Sequence, residues 1–195
     1  VVDRLHGLRF DRYVFISTID VYGAGCGDEA RTHEQAAVDP VGMCTYAFHK
    51  FLAEQAVGWA ARHSLILRLG TLIGPSLKKN PVFDAINGLP IRQTPDSTLT
   101  LVDLARVAQA LDTLLNRDAD GIYNVTGRAT VSVADMLALV AGETPGIGPE
   151  EEFTYGDELL RTRYQISVGK ISGLMEMPTS LDMLRDYLAQ TVTGC

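Results

Sequence analysis

Two short apolar runs with an amphipathic segment between them dominate the first third of the chain. The runs Tyr13–Ser17 and Ser64–Leu69 are continuous rather than alternating, which is typical of strands buried on both faces of a parallel sheet. Between them, Tyr46–Arg62 has largely apolar residues at helical spacing and few helix breakers. A helix that connects two buried strands predicts a β-α-β unit, and therefore an α/β fold with a parallel sheet.

Shorter elements are predicted after residue 75. The pattern indicates a short helix over Pro81–Asn87 and short strands over Leu99–Val102 and Ile122–Val125. The Gly, Pro and Asp content of Asp20–Gly42 and Gly70–Asn80 predicts loops. Three more helices are predicted from caps and apolar stripes: Leu104–Leu115 after Asp103, Val133–Ala141 after Ser132 with Asp135, and Leu181–Gln190 after Thr179 or Ser180.

Composition narrows the class of partner. The chain has 195 residues, of which 46% are hydrophobic, and its net charge of −7 includes 17 Lys and Arg without a basic run. This balance argues against nucleic acid and anionic membrane surfaces and favours a small-molecule partner. Cys26, Cys44 and Cys195 are odd in number and far apart, so neither a disulfide framework nor a metal site is predicted. With no membrane-length apolar stretch and no signal pattern, we expect a cytoplasmic protein.

Tyr46 and Lys50 are four residues apart on the predicted helix, so both side chains project from one face. An ammonium ~4 Å from a phenol, at an effective dielectric constant of ~20, is worth ~4 kcal/mol and lowers a Tyr pKa from ~10 towards ~7. Such a Tyr can exchange protons with a substrate alcohol or ketone. The spacing also arises by chance, but Ser17–Gly23 follows the preceding strand at its carboxyl end, where open α/β sheets bind ligands.

Four segments, in this order, resemble the extended short-chain dehydrogenase/reductase family, also called the nucleotide-sugar epimerase/dehydratase family. They are Ser17–Gly23 (STIDVYG), Tyr46–Lys50 (YAFHK), Leu67–Pro75 (LRLGTLIGP) and Leu101–Ala105 (LVDLA). The resemblance implies an NAD- or NADP-dependent oxidoreductase or epimerase acting on a nucleotide-activated sugar. It further implies, over residues 1–75, the C-terminal portion of a doubly wound parallel-sheet, Rossmann-like domain that carries the catalytic Tyr/Lys helix. Over residues 76–195 it implies a smaller α/β substrate-binding part whose strands and helices partly return to the main sheet.

The resemblance also assigns roles to residues. Tyr46 is implied as the acid/base, Lys50 as the group that lowers the Tyr46 pKa and binds the nicotinamide ribose, and Thr18 as the hydroxyl that polarises the reacting oxygen. The remaining candidates are Ser17, Leu69 and Gly70 for the cofactor, and Asp20, Thr71, Lys78, Lys79, Asn80 and Arg92 for the substrate.

The chain departs from the family pattern at three places. Ile19-Asp20 stands where sugar dehydratases carry an Asp-Glu pair, which disfavours dehydration. Thr71 replaces a common substrate-binding Asn, and Asp96-Ser97 stands where many members have an Arg that binds the diphosphate. Arg92, Lys78 or Lys79 could bind the phosphates instead, although a surface Lys pair is usually solvated.

The glycine-rich turn that holds the pyrophosphate in this family does not precede the first predicted strand, and Gly146-x-Gly148 neither follows a clear strand nor opens a helix. The sequence therefore predicts an N-terminally truncated chain whose first strand has an apolar edge that needs covering. Three hypotheses stay open: a fragment of an ordinary enzyme, a cofactor-free binding or scaffold subunit, and one half of a split enzyme. A homodimer is a further expectation.

Overall fold

The computed structural model describes residues 11–144 and 153–193. Strands and helices are mixed along these ranges, and two 3-10 turns, Ile19–Gly25 and Glu29–Arg31, follow the first strand. The elements in chain order are β1 (Tyr13–Thr18), α1 (Thr45–Ala60), β2 (Ser64–Leu69), β3 (Thr71–Ile73), α2 (Pro81–Ile86), β4 (Ile91–Gln93), β5 (Thr98–Leu99), β6 (Leu101–Asp103), α3 (Leu104–Asn116), β7 (Gly121–Val125), β8 (Val131–Ser132), α4 (Val133–Glu143), β9 (Tyr155–Leu160), α5 (Gly169–Ser172) and α6 (Ser180–Thr193).

The main sheet has the strand order β1-β2-β7, and both pairings are parallel. The central strand, β2, is covered on both faces, and its Leu65 and Leu67 are fully buried, as the continuous apolar run predicts. Parallel neighbours need a crossover connection, and α1 supplies it between β1 and β2. The predicted α/β fold with a parallel, Rossmann-like sheet is confirmed.

Helix α1 packs on the sheet through small side chains and one charged one. Its buried residues are Ala47, Glu54 and Val57, and Val57 packs with Ile66 of β2. The larger apolar residues that predict the helix face outward, and they are Phe48 (39% exposed), Leu52 (47%) and Trp59 (77%). The apolar spacing thus predicts the helix correctly, but the large apolar residues lie on its outer surface. The inner surface carries smaller residues, which bring the helix close to the strands.

Short paired strands build the rest of the molecule. β3 pairs with β6 and β4 with β9 in parallel, whereas β5 pairs antiparallel with β8. The predicted loop Gly70–Asn80 therefore contains a strand, and the predicted strand Leu99–Val102 is two strands interrupted at Thr100. The pairing of β4 with β9 was not predicted, because β9 is mostly exposed and lacks an alternating apolar pattern. The segment Gly146-x-Gly148 lies outside the described residues.

The predicted helix caps are observed. The Asp103 carboxylate accepts a hydrogen bond from the Arg106 backbone N–H at 2.7 Å, and the Ser132 hydroxyl accepts one from the Asp135 N–H at 2.9 Å. Strand β7, although it follows residue 75, belongs to the main sheet. The division of the chain at residue 75 stays a prediction. Within residues 11–144 and 153–193, no helix has the length and apolar character needed to cross a membrane.

Candidate active site

The candidate site lies where the carboxyl ends of β1 and β2 meet the first turns of α1. Tyr46 and Lys50 lie one turn apart near the start of α1. The Lys50 ammonium donates a hydrogen bond to the Ile16 carbonyl oxygen at 2.7 Å and lies 5.1 Å from the centroid of the Phe15 ring. An ammonium has three N–H donors, so this contact fixes Lys50 against β1 and still leaves donors for another acceptor.

A second polar group forms around the last residue of β1. The Thr18 hydroxyl donates to one carboxylate oxygen of Asp20 at 2.9 Å and accepts from the Asp20 backbone N–H at 3.2 Å. The other carboxylate oxygen accepts a hydrogen bond from the Tyr164 hydroxyl. The Tyr46 phenol lies close enough to Thr18 for the Thr18 hydroxyl to lower its pKa. Hydrogen bonds therefore join three polar side chains, those of Thr18, Asp20 and Tyr164, at the carboxyl end of β1, and Tyr46 lies beside them.

The electrostatics of Tyr46 differ from the prediction made from its spacing to Lys50. Partial burial, followed by the negative charge of Asp20, raises the pKa of the Tyr46 phenol, whereas the Thr18 hydroxyl acts in the opposite direction. The Lys50 ammonium lies 5.8 Å from the centroid of the Tyr46 ring and is hydrogen-bonded to Ile16. The expected lowering of the Tyr46 pKa is therefore wrong for this structure, because burial and the charge of Asp20 oppose it and Lys50 is directed towards β1.

A cavity of about 390 Å³ opens above these side chains. It brings together eleven of the twelve residues that the sequence singles out, from both sides of residue 75. These are Ser17, Thr18, Asp20, Tyr46, Lys50, Leu69, Gly70, Thr71, Lys78, Lys79 and Asn80. Their roles in binding and catalysis stay predictions, and their common location makes a single site out of candidates that the sequence could only name separately.

Arg92 is the predicted residue that does not line this cavity. It is the exposed middle residue of β4, and its positive charge acts on Asp84. Asn80 does line the cavity, but its side-chain oxygen accepts a hydrogen bond from the Phe83 N–H at 2.8 Å and caps α2. For phosphate binding, the structure therefore offers Lys78 and Lys79 at the cavity and leaves Arg92 on another surface.

Tyr164 is the main lining residue that the sequence did not indicate. It lies after β9 and reaches Asp20 across 144 positions of the chain. Burial, followed by the charge of Asp20, raises the pKa of its phenol. The apolar lining also includes Leu72 and Leu77. No local pattern marks Tyr164, because its position depends on how the segment after β9 folds back over the end of β1.

A buried ion pair lies beneath the site and was also not predicted. The Glu54 and Arg68 side chains are 0% and 3% exposed, and their carboxylate and guanidinium form hydrogen bonds of 2.6 and 3.0 Å. The Ser17 hydroxyl donates to the same carboxylate, and the guanidinium lies 4.7 Å from the centroid of the Tyr22 ring. Because Glu54 is on α1, Arg68 on β2 and Ser17 on β1, this pair ties together the three elements that carry the site.

Close packing explains why a glycine occupies position 70. A Cβ placed on it would lie 2.1 Å from the Thr126 hydroxyl oxygen and 3.0 Å from the Thr100 carbonyl oxygen. No side chain fits in that space. Close packing of the segment after β2 against the end of β7 therefore explains the glycine without reference to a ligand.

The described residues fit one end of a nicotinamide dinucleotide. The free donors of Lys50 and the Tyr46 hydroxyl offer hydrogen bonds to a ribose at the cavity. Pyrophosphate binding, in contrast, uses a glycine-rich turn that opens a helix directly after a strand. Such a turn is absent from residues 11–144 and 153–193, where β1 leads into a 3-10 turn and β2 into β3.

Solved structures of other proteins have a fold similar to that of this chain. The chain matches MoeE5 in complex with UDP-glucuronic acid and NAD, with a TM-score of 0.79, 18% identity, and coverage of 100% of this chain and 69% of that one. The chain has the fold of the extended short-chain dehydrogenases/reductases.

Two more structures with this extended dehydrogenase/reductase fold are similar. The UDP-glucuronic acid 4-epimerase of Bacillus cereus matches with a TM-score of 0.74 and 17% identity over 97% of this chain and 65% of that one. TunA, an NAD-dependent NDP-hexosamine 5,6-dehydratase, matches with a TM-score of 0.75 and 18% identity over 98% of this chain and 67% of that one. The chain thus spans about two thirds of the length of these structures. No family model matches it, and no curated protein is detectably similar in sequence.

Proposed function

We propose that the chain forms the proton-transfer and substrate-binding part of an NAD(P)-dependent oxidoreductase or epimerase that acts on a nucleotide-activated sugar. The observation that carries this proposal is the meeting of Tyr46, Lys50 and Thr18 at one cavity, at the carboxyl ends of two parallel strands. Open parallel sheets bind ligands at this edge. The similar structures, which are described as NAD-dependent or were determined with NAD, add support.

The residues of the chain divide the chemistry between them. A sugar ketone oxygen placed beside Tyr46 and Thr18 would accept a hydrogen bond from the Tyr46 phenol, which its raised pKa keeps protonated. The Thr18 hydroxyl donates its one proton to Asp20, so it would contact the ketone without donating to it. Lys50, held by Ile16, would orient the nicotinamide ribose. The bound nicotinamide would supply the hydride that reduces the neighbouring carbon.

The two lysines next to the cavity are the candidates for the nucleotide diphosphate. Lys78 and Lys79 are exposed, lie on the loop before α2, and are in no ion pair with another described residue. Their charges are therefore available to a phosphate, in the place of the arginine that the sequence lacks near Asp96. Asp96 itself is paired with Arg161.

The edge of β1 away from β2, which pairs with no strand among the described residues, fits a segment that completes the dinucleotide site. Among the described residues, β1 pairs with β2 alone, and Ile16 is 41% exposed. Unpaired strand edges bind further strands readily. We propose that a glycine-rich β-α-β segment adds to this edge, either in the same polypeptide or from a separate chain.

The assay for this proposal uses NAD(P)H and a panel of 4-keto nucleotide sugars. It is run on the chain alone, on the chain extended by any in-frame upstream coding sequence, and on the chain mixed with a separately produced glycine-rich segment. In a completed form we expect NAD(P)H fluorescence to fall when a sugar substrate is added. In the Tyr46→Phe variant the fluorescence should stay constant. Turnover that survives Tyr46→Phe would contradict the proposed role of the site.

A binding or scaffold subunit is the second candidate, and the outer surface of α1 favours it. An apolar stripe on the outer surface of α1 consists of Phe48, Leu52 and Trp59, which are exposed by 39%, 47% and 77%. This candidate predicts a stable complex without NAD(H) binding in any form of the chain. The same stripe suits a homodimer through paired α1 helices, which Leu52→Glu should dissociate in sedimentation experiments.

A further inference from the structure

The reacting end of the cavity carries a negative charge that no cation of the described residues neutralises. Both oxygens of the Asp20 carboxylate accept hydrogen bonds, but the donors are the neutral hydroxyls of Thr18 and Tyr164. Asp20 lines the cavity with Tyr46 and takes part in none of the ion pairs found in residues 11–144 and 153–193. Hydroxyl donors hold the carboxylate in place without cancelling its charge.

We propose that Asp20 selects the sugar, so that the site takes nucleotide sugars with a hydroxyl or amino substituent beside the reacting carbon and rejects uronic acids. This inference rests on the proposed function and names its substrate class. Asp20 lies two residues after Thr18 and is hydrogen-bonded to it, so a sugar whose reacting oxygen contacts Tyr46 and Thr18 brings its next substituent near Asp20.

The charges along the cavity also orient such a ligand. Lys78 and Lys79 lie on the loop before α2 and attract phosphates, whereas Asp20 lies at the end of β1 beside Tyr46. A molecule with a diphosphate at one end and a neutral or amino sugar at the other matches both charges. A uronic acid matches the lysines but places a carboxylate against Asp20, and like charges brought together in a partly buried site are strongly unfavourable.

The second contact of Asp20 keeps this arrangement rigid. A free Asp side chain could rotate its carboxylate away from an anionic substrate. Here one oxygen is held by Thr18 from β1 and the other by Tyr164 from the segment after β9. Rotation would break a hydrogen bond at a part-buried position, so the charge stays where the substrate must pass.

Equilibrium binding of two probes tests the proposal. UDP-glucose and UDP-glucuronic acid differ only in a hydroxymethyl or carboxylate group on the ring carbon next to C4, and isothermal titration calorimetry of the 195-residue chain measures both dissociation constants. We expect UDP-glucose to bind about tenfold more tightly than UDP-glucuronic acid at low salt, with a smaller ratio at high salt.

Asp20→Asn keeps the shape and removes the charge, and it should bring the ratio of the two dissociation constants close to one. Asp112→Asn, which removes an exposed carboxylate on α3 away from the cavity, is the matched control and should leave the ratio unchanged. Circular dichroism shows whether each variant is folded. If Asp20→Asn does not fold, the ratio of the two dissociation constants in the native chain still tests the proposal.

The outcomes separate the inference from the function on which it rests. Binding of neither probe overturns both. Binding of both probes with equal affinity, or a preference for UDP-glucuronic acid, overturns the role of Asp20 and leaves the proposed function standing. A preference for UDP-glucose that Asp20→Asn does not reduce assigns the selection to another residue and also overturns the inference.

Discussion

Two carboxylates near the end of β1 have opposite surroundings. Glu54 is fully buried and is paired with the guanidinium of Arg68, whereas Asp20 borders an open cavity and its carboxylate is held, among the described residues, by hydroxyls alone. A buried charge without a partner is costly, so Glu54 and Arg68 depend on each other to remain in the interior. Asp20 remains partly solvated and keeps a charge to which a ligand can respond. The contrast separates a carboxylate that holds the fold from one that is available for function.

The largest effect that would test this contrast is expected from Glu54→Ala. Removing one member of a buried ion pair leaves the other charge uncompensated, and the free energy of unfolding should fall by about 3–5 kcal/mol. Urea unfolding followed by circular dichroism measures it. Asp112→Ala, at an exposed position on α3, is the control and should change stability by less than about 0.5 kcal/mol. A loss for Glu54→Ala no larger than that of the control would show that the pair does not hold α1 on the sheet.

A second test removes packing instead of charge. Gly70→Ala places a Cβ 2.1 Å from the Thr126 hydroxyl oxygen, and overpacking at such a contact should cost about 1–3 kcal/mol. Gly58→Ala in α1 is the matched control, because nothing lies within 4 Å of its Cβ and alanine favours a helix by about 1 kcal/mol. Thermal unfolding should therefore shift in opposite directions for the two variants. Equal shifts would contradict the close approach between Gly70 and Thr126.

The burial of Cys26 leads us to expect that the free energy of unfolding falls at alkaline pH. Burial, followed by the charge of Asp20, raises the pKa of its thiol from 9.0 to about 12. The unfolded thiol ionises near pH 9 while the folded one keeps its proton, so this contribution to stability is complete below pH 9.0 and is lost as the pH rises towards about 12. Cys26→Ala should flatten the slope of unfolding free energy against pH over this range.

Cys44→Ala, at an exposed cysteine, is the control for that slope and should leave it as in the native chain. Burial also raises the pKa of Tyr22, so some alkaline loss persists in Cys26→Ala. Native and Cys26→Ala chains with the same slope would rule out Cys26 as its source.

Long apolar patterns made the centre of the fold predictable, whereas contacts between distant segments were not. β1, α1 and β2 follow from their apolar spacing, and the cap of α3 follows from Asp103. Strand β9 has no such pattern, since its residues are mostly exposed and its partner β4 is set by tertiary structure. The lining of the cavity shows the same difference. The segments that resemble the family predicted most of its residues, whereas Tyr164 reaches it through a contact with Asp20 that a local sequence pattern does not predict.

The smallest expected effect concerns the residue on which the sequence reasoning was wrong. Spacing to Lys50 alone suggested a lowered pKa for Tyr46, yet partial burial and the charge of Asp20 raise it. Asp20→Asn removes one of these two causes and should lower the Tyr46 pKa, which NMR of 13C-labelled tyrosine rings can follow through the alkaline range. Asp112→Asn should leave the titration unchanged. An unchanged Tyr46 titration in Asp20→Asn would place the carboxylate too far from the phenol to act on it. It would also weaken the distinction between the two carboxylates, because the charge of Asp20 would then have no effect on the phenol beside it at the cavity.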